Sequence, residues 1–144
     1  MPEVLTADAV VLGGSARTRD EAIDEAGRLL VAAGAVEESY VAAMHERETS
    51  VSTFMGNGLA IPHGTNEAKS AIRRTAISFV RYAEPVDWKG KPAEFVVGIA
   101  GAGDDHLTVL QRLAEVFMDE GEISRLRAAA SADDVLAVIG DVQV

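Results

Sequence analysis

With 144 residues, 48% of them hydrophobic, the chain can bury one sizeable core, and having no cysteine it carries neither a disulfide framework nor a thiolate metal site. Twenty-three acidic residues against 13 basic ones give a net charge of -10, and the basic residues are dispersed, which argues against binding a nucleic-acid backbone. No window approaches the roughly 20 apolar residues of a membrane span, and the start at Met1 and Pro2 lacks the basic and apolar regions of a signal peptide. A soluble cytoplasmic protein without direct membrane insertion is expected. Its acidic surface serves solubility first and suits basic protein partners second.

In chain order, Val4 to Leu12 reads as a short turn followed by a strand or helical turn before Gly13 and Gly14. Thr18 and Glu21 form a capping box, and Ala22, Ile23, Ala26, Leu29, Leu30 and Ala33 follow at helical spacing until Gly34. Glu37, Glu38 and Ser39 open a second helix, its buried side marked by Tyr40, Val41 and Met44. His45 points to another face and is read as structural. Arg47 falls at the C-terminal end, where it can complement the last carbonyls or present its planar fork to two oxygens of a phosphoryl group. Position alone leaves both open.

Val51 to Met55 is expected to be a strand running into Gly56-Asn57-Gly58, a turn that tolerates positive φ and can gather N–H groups into an anion-binding nest. Leu59, Ala60 and Ile61 read as a buried strand end, stopped by Pro62, which fixes its own φ and holds Ile61 extended. His63 therefore stands on a stiff stem. Gly64 lets the backbone approach whatever the imidazole meets, and the Thr65 hydroxyl follows. On this segment alone a structural or surface histidine is the simpler reading.

Glu67 to Arg73 is polar with at most one helical turn, and Thr75 to Arg81 alternates as a strand. Residues 84–92 read as a loop or hairpin carrying Trp88 as a packing group. Phe95 to Ala100 is an unbroken apolar run suited to an interior strand with both faces covered. After Gly101 and Gly103, Asp104 or Asp105 caps a helix whose apolar positions continue to Met118, which puts His106 in its first turn, where open α/β sheets place ligands. Gly121 starts a further helix with Leu126 inward, and Ser131 caps a last one closed by Gly140. The expected fold is a single α/β domain over 1–144, a mixed β-sheet with helices on both sides. Adjacency of the strands ending at Ile61 and Ala100 is the main structural expectation.

The run from Met55 to Lys69, preceded by His45-Glu46-Arg47-Glu48, resembles the active-site segment of the mannitol/fructose-type enzyme IIA components of the bacterial sugar phosphotransferase system. Phe95 to Ala100 with Asp105-His106-Leu107 resembles that family's second signature. The resemblance implies that His63 accepts a phosphoryl group from the phosphocarrier HPr and passes it to an EIIB component working with membrane EIIC, the mannitol type being preferred. It makes His106 the second active-site histidine and Arg47 the neighbour of the phosphate, with phosphorylation on Nε2 and Nδ1–H held by a carbonyl. The glutamate some members carry between the two glycines is Asn57 here, so a carboxylate role does not transfer to it. Asn57, the backbone N–H groups around Gly58 and Gly64, and the Thr65 hydroxyl are the further candidate phosphate donors. No cofactor or metal is called for.

Three alternatives stand beside it. A hydrolase built on His63 or His106 lacks a Gly-x-Ser-x-Gly elbow, and a metal site lacks His-x-His or His-Glu-x-x-His spacing. The third is a regulatory IIA-like protein of the nitrogen branch, acting by phosphorylation-dependent protein binding.

Overall fold

The structure, a computed structural model, describes residues 4–139. Helix α1 (Arg19–Ala32) begins where its sequence sets it: the Thr18 side chain accepts from the Glu21 N–H while the Glu21 carboxylate turns back to the Arg17 N–H. Gly34 beyond its end takes φ 73°, a left-handed cap. Helix α2 (Ser39–Ser50) packs across α1 at Gly27, where a Cβ would meet Val41 and Met44 at 3.0 and 3.1 Å.

Five strands form one mixed sheet, in the order β1-β4-β5-β3-β2. β1 (Val10–Val11) runs parallel to β4 (Ala76–Trp88), which is antiparallel to β5 (Lys91–Ala100). β3 (Leu59–Ala60) lies parallel to β5 on its other side, and β2 (Phe54–Gly56) is antiparallel to β3. The central position of β5 explains why Phe95 to Ala100 is apolar at every residue. Phe79, Phe95, Val97 and Ile99 face one layer, formed by α3 (Asp105–Phe117), α4 (Glu120–Ala128) and α5 (Ala132–Ile139). Ala76, Val80, Val96 and Ala100 face the other, with Ile23 and Leu30 of α1 and Met44 of α2. Helices cover both faces, as the sequence predicts, and no helix of the described residues is long and apolar enough to cross a membrane.

The elements depart from expectation in two places, and in one the structure decides between two open readings. The strand expected at 51–55 starts only at Phe54, because α2 runs on through Ser50 and the Glu48 carboxylate, not a sheet partner, takes the Thr53 N–H. Residues 84–92, open between loop and hairpin in the sequence, form a hairpin. The β4–β5 ladder shifts register after Arg81, absorbs Pro85, and resumes at Val86 opposite Ala93, leaving Lys89 and Gly90 at positive φ as a two-residue hairpin turn. Trp88 is fully buried beside that turn, in keeping with a packing role. Finally, neither aspartate caps α3 in the expected way. Asp104 makes no side-chain cap, and the Asp105 carboxylate accepts instead from the Thr75 hydroxyl at 2.6 Å. The closing Gly140 lies outside the described residues.

Candidate functional site

The chain stays extended beyond β3. Ile61 N–H donates to the Thr53 carbonyl, the Pro62 carbonyl accepts from Ile99 N–H at 3.0 Å, and His63 makes a parallel bridge with Ile99. The sheet thus carries His63 to the C-terminal end of β5, beside the loop that leads into α3. Its Nδ1 lies 2.8 Å from the Ile61 carbonyl oxygen. A carbonyl only accepts, so Nδ1 carries the proton in this contact and Nε2 keeps its lone pair.

His106 reaches the same place because Gly101 has no side chain. A Cβ there would stand 2.6 Å from the His106 Cα and Cβ, so only glycine lets the first turn of α3 close down on the end of β5. The two imidazole rings are 4.8 Å apart, tilted by 52°. Arg47, in the last turn of α2, donates from one guanidinium nitrogen to the Val51 carbonyl at 2.8 Å and also lines the cleft. Both roles open to it from sequence are therefore geometrically available. The cleft, about 260 Å³, is lined by Arg47, His63, Gly64, Thr65, Lys69 and His106, with Tyr40 beneath. Lys69 spans its far side, its ammonium 2.9 Å from the Gly103 carbonyl.

Burial lowers the His63 pKa below its usual 6.5; the Ile61 carbonyl opposes that, Arg47 adds to it, and the charge of Glu48 pulls the other way. His106 falls further, to about 4, chiefly through burial and then through His63, Lys69 and Arg47. Near neutral pH both rings are uncharged. The arrangement is a neutral nucleophilic nitrogen in a cleft walled by cations, on a protein whose net charge is -10, and such a cleft can draw in and hold an anionic group.

The structure brings His63, His106, Arg47 and Thr65 together; it does not bring Asn57 and Gly58. These lie at the other end of β3, where Asn57 donates to the Phe117 carbonyl at 2.7 Å and the Gly58 carbonyl accepts from Glu94 and Phe95. The glycine turn has the positive φ angles of a nest, at 103°, 51° and 77°, but the sheet register points it away from the histidines. Gly64 does line the cleft, yet its N–H is already donated to the Tyr40 hydroxyl at 2.9 Å. Beside the site, Leu107, 69% exposed, follows His106 directly, whereas Leu59 is fully buried and Met55 lies in β2. His45 pairs at the surface with Asp24, as a structural residue would.

Two residues at the site escape sequence reasoning. Tyr40 donates its hydroxyl to the Ile99 carbonyl at 2.8 Å and receives Gly64, joining the His63 turn to the end of β5. Glu48 is 1% exposed and accepts from the Thr53 N–H, the Thr53 hydroxyl and the Trp88 indole. Tyr40 looks like any apolar position of an amphipathic helix. Glu48 looks like a solvated charge. Among the described residues no three His, Asp or Glu side chains gather as a metal site.

Residues 3–142 match the family described as "Phosphoenolpyruvate-dependent sugar phosphotransferase system, EIIA 2". The chain is 45% identical over 139 residues to the mannitol-specific phosphotransferase enzyme IIA component of Halalkalibacterium halodurans, covering 96% of each. It resembles the crystal structure of IIA mannitol from Escherichia coli with a TM-score of 0.85 and 39% identity, over 93% of this chain and 97% of that one. The IIA chain in the complex of enzyme IIAMTL with phosphorylated enzyme IIBMTL from Escherichia coli gives a TM-score of 0.86 and 38% identity, over 93% and 95%.

Proposed function

The chain belongs to the EIIA 2 family of the phosphoenolpyruvate-dependent sugar phosphotransferase system, and on that premise we propose that Nε2 of His63 is the atom through which it carries a phosphoryl group. The protein is a phosphotransferase component of a mannitol permease: it takes the group from phospho-HPr and passes it to EIIB, which works with membrane EIIC. Because its donor is a soluble phosphocarrier, the carrier acts in the cytoplasm.

The chemistry follows from the cleft. The Nε2 lone pair attacks phosphorus in line with the bond to the donor, which breaks with its electron pair leaving on the donor. Passage to EIIB is the same step with His63 as leaving group. The protein's task is to position the reactants and to stabilise the charge spread over the three equatorial oxygens. Arg47 offers a permanently charged fork to two of them. Neutral His106 offers one ring N–H, and the Thr65 hydroxyl lies on the same wall. Gly64 contributes through its close fit over Tyr40, where a Cβ would lie 2.6 Å from the ring, and not through its N–H.

The observation that carries this reading is a buried-side contact: Nδ1–H tied to the Ile61 carbonyl, which leaves Nε2 as the one nitrogen of the His63 ring with a free lone pair, in a cleft shared with Arg47 and His106. Incubation with phosphoenolpyruvate, enzyme I and HPr is expected to label the chain, and addition of EIIB to discharge it. His63→Ala should fold and take no label. An acid-labile label on that variant would overturn the assignment.

A further inference from the structure

The carboxylate of Glu48 sits in the interior with neutral donors only. Thr53 N–H reaches it at 2.9 Å, the Thr53 hydroxyl at 2.5 Å and the Trp88 indole N–H at 3.0 Å, and no ion pair to it occurs among the described residues. Leaving a charge unpaired inside a protein is costly, and three good hydrogen bonds offset only part of that cost. A glutamine in its place would keep all three: one oxygen accepts from Thr53 N–H and Trp88, as Oε2 does now, and the amide NH2 donates to a Thr53 hydroxyl turned round to accept. The fold therefore does not need the charge.

Two residues connect it to the nucleophile. Glu48 holds the Thr53 N–H, the Thr53 carbonyl holds Ile61 N–H, and the Ile61 carbonyl holds Nδ1–H of His63. Glu48 also follows Arg47 directly, so the anchored end of α2 is the end that presents the guanidinium. We propose that Glu48 is a positioning residue of the phosphoryl-transfer site, fixing the segment that sets the His63 tautomer and setting a carboxylate at the far end of the hydrogen-bond chain from Nδ1, as a counterweight to the cations Arg47 and Lys69 that line the cleft. This rests on the carrier reading of His63.

The charge has a definite sign of effect. The groups that act on His63 are Arg47, which disfavours its protonation, and Glu48, which favours it; His106 shares the cleft as a neutral ring. A negative charge near the imidazole disfavours adding a phosphoryl group, which brings net negative charge to the ring, and so favours the step in which the P–N bond breaks and its electron pair returns to Nε2. Glu48 thus keeps the phosphorylated form from becoming too stable to pass on. A carrier standing between a donor and an acceptor needs that balance.

The test is Glu48→Gln. Its His63 ring should titrate at lower pH than in the wild type, followed by NMR of 15N-histidine-labelled protein with no phosphoryl donor present. In a mixture with phospho-HPr the variant should hold severalfold more of the phosphoryl group at equilibrium than the wild type. Its phosphohistidine should also hydrolyse more slowly. Identical titration and identical partition in variant and wild type would overturn the proposal. If Trp88 emission shows that the variant is unfolded, Thr53→Val, which keeps the carboxylate but removes one of its donors, replaces it: slower transfer from phospho-HPr is expected, and an unchanged rate would overturn the positioning role. Failure of the wild type to label at His63 would instead sink the carrier reading and leave the titration arm intact.

Discussion

Replacing Tyr40 with Phe removes one oxygen and leaves the ring. That oxygen joins two segments, donating to the Ile99 carbonyl at 2.8 Å and accepting from Gly64 N–H at 2.9 Å. Burial raises the Tyr40 pKa above its usual 10.0, so the hydroxyl keeps its proton and remains the donor to Ile99. Ile99 is fully buried in the interior half of β5, so leaving its carbonyl without this partner costs about 1–3 kcal/mol. Gly64 N–H opens onto the cleft and can take a water, at a cost of about 0.5 kcal/mol. The sum, about 2 kcal/mol, is a measurable part of the roughly 5–15 kcal/mol typical of a domain. Urea titration at pH 7, followed by Trp88 fluorescence, should show that loss. Because the peptide after His63 is no longer pinned, rapid-quench transfer from phospho-HPr should slow by roughly tenfold, as small misplacements of a reacting atom do. A variant losing less than about 0.5 kcal/mol with an unchanged transfer rate would show that the hydroxyl neither anchors the turn nor aligns the nucleophile.

Other outcomes follow from the same geometry. Asn57→Ala places a Cβ residue without a local hydrogen bond at φ 51° and removes the contact to Phe117, so stability should fall by about 2 kcal/mol while transfer kinetics stay unchanged; a tenfold loss of transfer would put Asn57 back at the phosphate. The pH dependence of folding has a fixed sign. His106 titrates near 4 in the folded chain and near 6.5 unfolded, so between those values the unfolded chain binds more protons; stability is full above about 6.5 and is lost as pH falls towards 4, by about 1–2 kcal/mol once solvent screening of the half-exposed ring is allowed for. Urea titrations of wild type and His106→Gln at pH 7.5, 6 and 5 should diverge as pH falls, the variant losing less. Parallel curves would contradict the assignment of a depressed His106.

The parts of the site that lie close together in sequence were legible, because local chemistry determines them. Pro62 after an apolar run, with His63 next, specifies a stem and a presented ring whatever surrounds them. A helix opening after Gly101 and Gly103 likewise puts His106 in a first turn. What could not be read depended on partners far along the chain. The nest geometry of Gly56 to Gly58 is real, but which end of β3 meets the histidines is decided by the register of β3 on β5. Glu48 is buried by Trp88, 40 residues away on a hairpin that the sequence splits at Pro85. Tyr40 owes its role to the Ile99 carbonyl, 59 residues distant.

The central claim concerns one nitrogen. Two-dimensional 1H–15N and 31P NMR of 15N-histidine-labelled protein, charged with phosphoenolpyruvate, enzyme I and HPr, reads directly which ring atom bears phosphorus. The account predicts a single phosphohistidine at His63, bonded through Nε2, with Nδ1 still protonated against the Ile61 carbonyl. Phosphorus on Nδ1, or on His106 or His45, would contradict it.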